Sequence, residues 1–383
     1  MAKPNHIVFT TIFYPAVLED LLANLRTHGH LEDTKVWVVG DRKTPPEAQE
    51  LCRRISDQGL EVSYLDIPGQ DTWGASFPNF YARIPYNNET RRNIGYLRAL
   101  QDGCERLISI DDDNWPTQDD FVGGHSLTGQ AWSDGLLSEP SGYHNVCEYL
   151  TFDMKRPIFP RGFPFGLRHT ANVPQEVPAA SGTRVGVTAG LWLLDPDIDA
   201  TTWLNGKVSG VGYTGPDSFA LAPQTWSPIN TQNTSVLRDL IPAYLCIPMG
   251  WEVPGGKIER YGDIWGGYFL QAVLGGLPYC VAFGRPLADH RRNPHNYVDD
   301  LRHEFWGMIL TDWLVDLLRT DFQPTGTDVC GRVTQLGEFL QGHALSRLPA
   351  WCAPEVRAFL AHTGGTLSVW SDACRQVLEK DIK

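Results

Sequence analysis

The sequence lacks several features that would assign it to a membrane, a secretory route or a redox cofactor. No apolar run is long enough to cross a bilayer, and no N-terminal stretch has the pattern of a signal peptide. The eight cysteines are scattered, and no two have the C-x-x-C spacing of a zinc or redox site. No G-x-G-x-x-G follows the first predicted strand, which disfavours a dinucleotide cofactor. We therefore expect a cytoplasmic protein with reduced thiols and no membrane partner.

Positive charge is also in short supply. The chain has 32 Lys and Arg against 45 Asp and Glu, a net charge of −13. A nucleic-acid partner is not expected, because it would need a basic surface. An anionic substrate stays open, since a metal ion and a few arginines can create a local positive site. The length of 383 residues suits one large α/β domain with an appendage, or two domains.

Three carboxylates, Asp111, Asp112 and Asp113, end an apolar run that begins at Leu107. The run follows a predicted helix at 94–105, so it is a candidate for a buried parallel strand. Ligands bind at the carboxyl ends of the strands in open α/β sheets. Because side chains alternate along an extended chain, Asp111 and Asp113 can face one side and Asp112 the other. The pattern is compatible with a Mg²⁺ or Mn²⁺ site that binds a diphosphate, and equally with an acidic turn in water.

The N-terminal part predicts a nucleotide-binding half-sheet. Strands at 6–11, 35–39 and 61–65 alternate with helices at 16–27 and 47–58, and this order indicates parallel strands with right-handed crossovers. Asp41 follows the second strand, where a carboxylate could accept hydrogen bonds from a ribose or simply shape the turn. Arg91 and Arg92 open the helix that leads to the acids, which is unfavourable for the helix dipole unless they face an anion.

Long stretches of little periodicity, at 66–89, 117–185 and 205–232, predict loops of the kind that often carry function. Arg161 and Arg168 lie in such a loop, at a spacing that no helix explains, and guanidinium groups suit phosphate. Asp263 opens an apolar helix and could serve as its N-cap. His290 follows a short strand at 279–283; it could bind a metal or donate to a carbonyl.

Several of these stretches together resemble the reversibly glycosylated polypeptides, which include the plant UDP-arabinopyranose mutases. The resemblance rests on Ile108–Asn114 (ISIDDDN), Arg161–Arg168 (RGFPFGLR), Thr188–Leu193 (TAGLWL), Asn233–Pro242 (NTSVLRDLIP) and Arg260–Trp265 (RYGDIW), with Arg92 and Gly95-Tyr96 also in place. It runs from about residue 6 to residue 318. Gly262 replaces the first Asp of the family's acidic pair, so only Asp263 carries over, and His290 is spaced differently from the family's histidine.

The resemblance implies a GT-A-like Rossmann-type α/β fold over residues 1–318, with a helical appendage at 319–383. It also implies roles for individual residues. Asp111, Asp113 and His290 would bind Mn²⁺ or Mg²⁺; Asp41, Arg92, Asp111 and Asp112 would contact the nucleotide-sugar; and Asp263, Arg161 and Arg168 would be catalytic.

From these roles we expect a retaining glycosyltransferase that moves a sugar from a UDP-sugar donor to a small-molecule or other soluble acceptor. One alternative is a UDP-sugar mutase with self-glycosylation. Another, from a different class, is a non-catalytic sugar-nucleotide-binding partner of an enzyme. The sequence does not fix the oligomeric state; a homo-oligomer is one expectation.

Overall fold

A computed structural model describes residues 2–170 and 173–380. Its strands are β1 (Asn5–Thr10), β2 (Thr34–Val39), β3 (Glu61–Leu65), β4 (Arg106–Ile110), β5 (Asn114–Pro116), β6 (Leu136–Ser138), β7 (Leu150–Phe152), β8 (Gln175–Val177), β9 (Arg184–Leu194), β10 (Gly210–Tyr213), β11 (Ser218–Leu221), β12 (Asn233–Leu237), β13 (Trp251–Val253), β14 (Gly256–Ile258) and β15 (Tyr279–His290). Its α-helices are α1 (Val17–His28), α2 (Glu47–Ser56), α3 (Ile67–Gly74), α4 (Pro78–Tyr81), α5 (Arg92–Gln101), α6 (Phe121–His125), α7 (Ala200–Leu204), α8 (Gly262–Leu274), α9 (Tyr297–Asp321), α10 (Val329–Phe339) and α11 (Pro354–Leu378).

The N-terminal half-sheet has the predicted parallel arrangement, in the order β3-β2-β1-β4. Alternate residues of β1 enter different cores: Ile7 and Phe9 pack with α1 and α2, whereas Val8 packs with α5. Both faces of the sheet are therefore covered by helices, which is why these strands read as unbroken apolar runs. The prediction of an α/β fold is confirmed.

Beyond β4 the sheet becomes mixed, and this change brings distant segments to one edge. Strand β12 pairs antiparallel with β4, so it begins where β4 ends. Strands β9 and β15 run parallel to each other and end together, and β15 ends beside β5, the short strand that follows the three acids. The carboxyl ends of β1, β4, β9 and β15 and the start of β12 thus lie around one region.

The predicted loop at 66–89 contains two short helices, α3 and α4. Helix α3 is capped by Asp66, whose carboxylate accepts a hydrogen bond from Gly69 N at 2.8 Å. The loops at 117–185 and 205–232 likewise include short strands and turns. Lone caps and three-residue strands leave little periodicity, so the sequence pattern did not reveal them.

The C-terminal helices pack on the same core as α5 and α8. Trp370 of α11 is fully buried, and its Nε1 donates to the carbonyl of Pro242 at 2.8 Å. Helix α9 continues through the predicted boundary at 318, and residues 381–383 of the predicted appendage lie outside the described residues. Among the helices that the structure describes, none combines the length and apolar character needed to span a bilayer.

Candidate active site

A two-lobed cleft lies where the strand ends converge. The first lobe, about 250 Å³, is lined by the end of β1, the segment before α5 and the three acids. The second lobe, about 400 Å³, is lined by Glu89, Arg92, Asp111, Asp113, Arg161, Asp197, Thr231, Gln232, Glu259, Arg260, Asp263, His290, Arg292, His295 and His303. Glu89, Arg92, Asp111 and Asp113 belong to both lobes, so a ligand could extend from one lobe into the other.

Two of the three non-glycine residues with a left-handed φ in the described chain, Asn87 and Arg260, line this cleft. The third, Leu194, is paired with His290. Such conformations are costly and tend to occur at functional sites. Their placement identifies the cleft as the candidate site independently of its charges.

The three acids have different partners. Asp111 Oδ1 accepts a hydrogen bond from Arg92 Nη2 at 2.5 Å, and Asp113 Oδ1 lies 3.5 Å from His290 Nε2. Asp112 accepts a hydrogen bond from the Thr11 hydroxyl and lines only the first lobe. The expected alternation along the chain is therefore present, with Asp111 and Asp113 both lining the second lobe.

Burial and neighbouring charges act on these carboxylates in opposite directions. Burial raises the pKa of Asp111, because it outweighs the charge of Arg92, and raises the pKa of Asp112 to about 7. Burial opposes ionisation of Asp113 as well, but contact with His290 lowers its pKa overall. The pKa of His290 is raised, since Asp113 outweighs the burial that would lower it. On the wall formed by the three acids, Arg92 supplies positive charge next to Asp111, and His290 does so next to Asp113.

The donor set fits a hard divalent cation that shares its coordination with a substrate. Within residues 2–170 and 173–380, no group of three His, Cys, Asp or Glu is arranged to hold a metal ion by itself. Mg²⁺, however, is usually bound by one or two carboxylates together with substrate phosphates and water. Asp111 and Asp113, with the imidazole of His290 next to Asp113, provide such a partial set on the wall of an open cleft.

His290 lies at the end of β15 and not in a loop, because the strand predicted to stop at 283 continues to 290. Its backbone pairs with Asn114 of β5, directly after Asp113. This pairing brings the histidine to the acids. The prediction that this strand ends at 283, before His290, is wrong.

Arg161 is held by two carboxylates from different segments. Its Nε and Nη2 donate to Asp197 at 2.8 and 3.2 Å, and its Nη1 and Nη2 donate to Asp263 at 3.1 and 2.7 Å. Nη1 also donates to the carbonyl of Arg260. A guanidinium has five N–H groups, and these contacts use all of them. Arg161 therefore has no donor left for a phosphate while this network is intact.

Charge pairing makes this network stable in its ionised form. Burial works against the charge of Arg161, but Asp197 and Asp263 outweigh it and raise the pKa of Arg161 well above its usual value. Burial likewise opposes ionisation of Asp197, and Arg161 reverses the effect, so the pKa of Asp197 is lowered. The result is a fixed carboxylate, Asp263, presented to the second lobe by an arginine behind it.

Asp263 is positioned by the first turn of α8. The helix is preceded by Tyr261 and not capped by Asp263, whose Oδ1 accepts a hydrogen bond from the next backbone N–H, that of Ile264, at 2.9 Å. Its expected role as N-cap is therefore not present. Gly262, where the resemblance would place another Asp, packs against backbone: an added Cβ would lie 2.3 Å from the carbonyl oxygen of Ile247. The local chain path accounts for the glycine.

The structure does not bring two of the expected site residues into the cleft. Arg168 pairs with Asp199 at 2.6 Å and lines a separate cavity of about 600 Å³. Asp41 is buried; its carboxylate accepts hydrogen bonds from the backbone N–H groups of Arg42 and Asn88 at 2.7 and 3.3 Å. Local backbone donors satisfy Asp41, and a buried carboxylate holds Arg168, so both have structural partners in place of a ligand.

Sequence reasoning passed over several residues of the cleft. Asp197 is the third residue after β9, and Asp111 comes directly after β4, so an acid close behind a strand could have indicated it. Phe13, half exposed in the first lobe, is the third residue after β1. Arg260 and Arg292 had no such signal, because only the fold places them beside Arg161.

Comparison with known proteins finds relatives of this chain by sequence. Residues 77–330 match the sequence profile of the family described as Reversibly glycosylated polypeptide. The chain is 28% identical over 294 residues to the probable UDP-arabinopyranose mutase 1 of Zea mays, a match covering 76% of this chain and 72% of that protein. It is 31% identical over 237 residues to the UDP-arabinopyranose mutase 2 of Arabidopsis thaliana, covering 61% of this chain and 59% of that protein.

Among solved structures, the glucosyl-3-phosphoglycerate synthase of Mycobacterium tuberculosis in complex with Mn²⁺ and UDP-glucose aligns with a TM-score of 0.37 at 12% identity, over 81% of this chain and 79% of that one. A mannosyltransferase of Pyrobaculum calidifontis in complex with GDP-Man and Mn²⁺ aligns with a TM-score of 0.36 at 10% identity, over 99% of this chain and 75% of that one. The family assignment rests on the sequence matches, which cover most of the chain. The chain belongs to the reversibly glycosylated polypeptide family.

Proposed function

We propose that this protein is an enzyme that breaks the bond between sugar and UDP in a UDP-sugar and transfers the sugar to a soluble small-molecule acceptor. The observation that carries the proposal is the second lobe. Asp111 and Asp113 face it from the end of β4, and Asp263 faces it from α8, held there by Arg161. One set of acids suits a metal–diphosphate group, and the separate acid suits a sugar.

Asp111 and Asp113, with His290, would hold Mn²⁺ or Mg²⁺ together with the diphosphate of the donor. When bound, the metal ion offsets the charge of the diphosphate and makes it a better leaving group. Arg92 keeps Asp111 in place through its contact at 2.5 Å. Its further hydrogen bonds to the carbonyls of Glu89 and Thr231, at 3.0 and 3.2 Å, fix the guanidinium itself.

Asp263 would act at the sugar. A carboxylate there can accept hydrogen bonds from sugar hydroxyls and stabilise positive charge that develops at the anomeric carbon. Because Arg161 has no free donor, its role is to position Asp263. The proposed role of Arg161 is thus indirect, and that of Arg168, which lies outside the cleft, is to support the fold through Asp199.

The second candidate is a UDP-sugar mutase, and the names of the matched relatives favour it. A mutase and a transferase share the cleavage step and differ in where the sugar goes. A mutase returns the sugar to the UDP that it left, whereas a transferase passes it to another molecule. The cleft described above suits the shared step, so the choice needs an assay.

The deciding experiment incubates the protein with a panel of UDP-sugars and Mn²⁺ and follows free UDP, isomerised donor and glycosylated protein. We expect slow release of UDP from donor alone and faster release with a true acceptor. Quantitative conversion of the donor to a ring isomer without acceptor would establish the mutase instead. UDP binding with no turnover of any donor would identify a non-catalytic binding protein. The cytoplasmic location and any homo-oligomer stay predictions.

A further inference from the structure

We propose that Arg292, supported by Arg260 and His295, binds an anionic group, a phosphate or a carboxylate, of the acceptor. The inference rests on the proposed transferase function, and it adds the chemical class of the acceptor. It starts from an arginine in the second lobe whose charge is incompletely matched.

At this end of the second lobe, three basic side chains are paired with two carboxylates, those of Asp300 and Glu304. Arg260 donates to Glu304 at 3.1 Å and lies 3.3 Å from Asp300. His295 Nδ1 lies 3.0 Å from Asp300, and Arg292 Nη2 reaches only to 3.7 Å from the same residue. Arg260 and His295 are therefore closer to Asp300 than Arg292 is. Arg292 has an ion pair without a hydrogen bond, and Asp300 Oδ2, which faces it, has no hydrogen-bond partner in the described chain either.

The guanidinium of Arg292 is nevertheless held firmly. Its side chain is only 8% exposed, and its Nη1 has no hydrogen-bond partner in the described chain. Its Cζ lies 5.5 and 5.9 Å from the ring centroids of Trp203 and Tyr297, which stack on each other. A buried cation with an unused donor is costly unless a ligand supplies the acceptor. The fork of a guanidinium matches a carboxylate or phosphate in two hydrogen bonds.

Position favours the acceptor over the donor as the source of that anion. Arg292 belongs to the second lobe only, next to Arg260, whereas the acids that suit the donor's diphosphate border both lobes. His303 and Glu259 of the same lobe are about one-third exposed, so this end opens to solvent. Burial, and next the charge of Arg260, lower the pKa of Arg292, while Asp197 and Asp300 act in the opposite direction.

The test measures binding of inorganic phosphate, and of glycerate as a carboxylate probe, by calorimetry on protein saturated with UDP and Mg²⁺. Saturation removes the diphosphate site from the measurement. The variants are Arg292→Met, which loses the charge, and Arg292→Lys, which keeps the charge and loses the fork. The matched control is Arg291→Met, because the side chain of Arg291 is 53% exposed and lies outside the cleft.

We expect the wild type to bind at least one probe, Arg292→Met to weaken that binding about tenfold to a hundredfold, and Arg292→Lys to weaken it less. Arg291→Met should bind within about twofold of wild type. The inference is overturned if the UDP-saturated wild type binds neither probe. It is also overturned if Arg292→Met binds the probes as tightly as the wild type does. Loss of probe binding when UDP is added would assign Arg292 to the donor and overturn it too.

Titration of UDP into every variant separates this inference from the proposed function. We expect Arg292→Met to leave the affinity for UDP unchanged, since the diphosphate of the donor is proposed to bind at Asp111 and Asp113. If the wild type does not bind UDP, the proposed function fails, and the probe titration on UDP-free protein still compares Arg292→Met with the control. Thermal unfolding of each variant excludes loss of fold, and Arg292→Lys serves if Arg292→Met does not fold.

Discussion

Replacing the two carboxylates that hold Arg161 one at a time should separate stability from turnover. Asp197 is the more buried partner, at 6% side-chain exposure against 13% for Asp263. Its Oδ2 accepts hydrogen bonds from Arg161 and from Asn230 Nδ2, and its Oδ1 accepts a further one from Arg161. In Asp197→Asn an amide NH₂ would therefore face a donor whichever way it turned.

The expected cost follows from these contacts. Removing one partner of a buried ion pair costs about 3–5 kcal/mol of unfolding free energy, and we expect Asp197→Asn to fall in that range. Asp263→Asn should cost less, about 1–2 kcal/mol, because Asp263 is the more exposed of the two carboxylates and does not have the additional side-chain donor, Asn230, that Asp197 has. Turnover should show a loss of about tenfold to a thousandfold in Asp263→Asn, because its carboxylate faces the lobe.

Urea unfolding followed by tryptophan fluorescence measures the first quantity, and UDP release from donor plus acceptor measures the second. Asp372→Asn is the control: Asp372 is 72% exposed and, among the described residues, pairs only with Arg375 one helical turn away, so a change below about 0.5 kcal/mol is expected. The reasoning is refuted if Asp197→Asn costs no more than Asp263→Asn, or if Asp263→Asn keeps full turnover.

Four further predictions follow from the cleft and the core. UDP should bind more weakly in EDTA than with Mn²⁺, because Asp111 and Asp113 then repel the diphosphate; equal affinities by calorimetry would exclude the metal site. Arg168→Lys should lower stability by about 1–3 kcal/mol through its contact with Asp199 and leave UDP affinity within about twofold of wild type; a large loss of UDP affinity would place Arg168 in the site. As the pH is lowered from about 6.5 to about 3, the free energy of unfolding should decrease, because burial lowers the pKa of His125 to about 3 and the unfolded chain therefore takes up the proton first. His125→Gln should reduce the slope of unfolding free energy against pH by up to about 1.4 kcal/mol per pH unit. Thiol titration should detect all eight cysteines in denatured, unreduced protein and only Cys352 readily in native protein, since the other seven are buried; missing thiols would contradict reduced cysteines.

The parallel half-sheet could be predicted because its signals are local. Each of β1, β2 and β4 is an apolar run of strand length, and helices with a clear apolar stripe separate the strands. Asp111 and Asp113 were also within reach, since strand ends in such a sheet gather at one edge. The metal role of His290 came from the family resemblance, because its strand was predicted to end at 283. The family resemblance added the ordering of motifs along the chain, which no single motif could provide.

Long-range pairing was out of reach of the same reasoning. Arg161 meets Asp197 and Asp263 across 36 and 102 positions of sequence. No periodicity encodes such contacts, because they depend on how the loop before β9 folds back onto the first turn of α8. For the same reason Arg168, equally charged and seven positions away, could not be told apart from Arg161 until its partner Asp199 was known.

The difference between these arginines shows what decides the role of a charged residue in the cleft. All five N–H groups of Arg161 are used within the protein, so it can act only through the carboxylate that it holds. Arg292 is about as buried, yet it has an unused donor and a carboxylate beyond hydrogen-bonding distance. The sequence gives the same residue type at both places. Because a ligand binds where the protein leaves charge unmatched, the number of occupied donors, more than the number of arginines, determines which residue can recognise an anion.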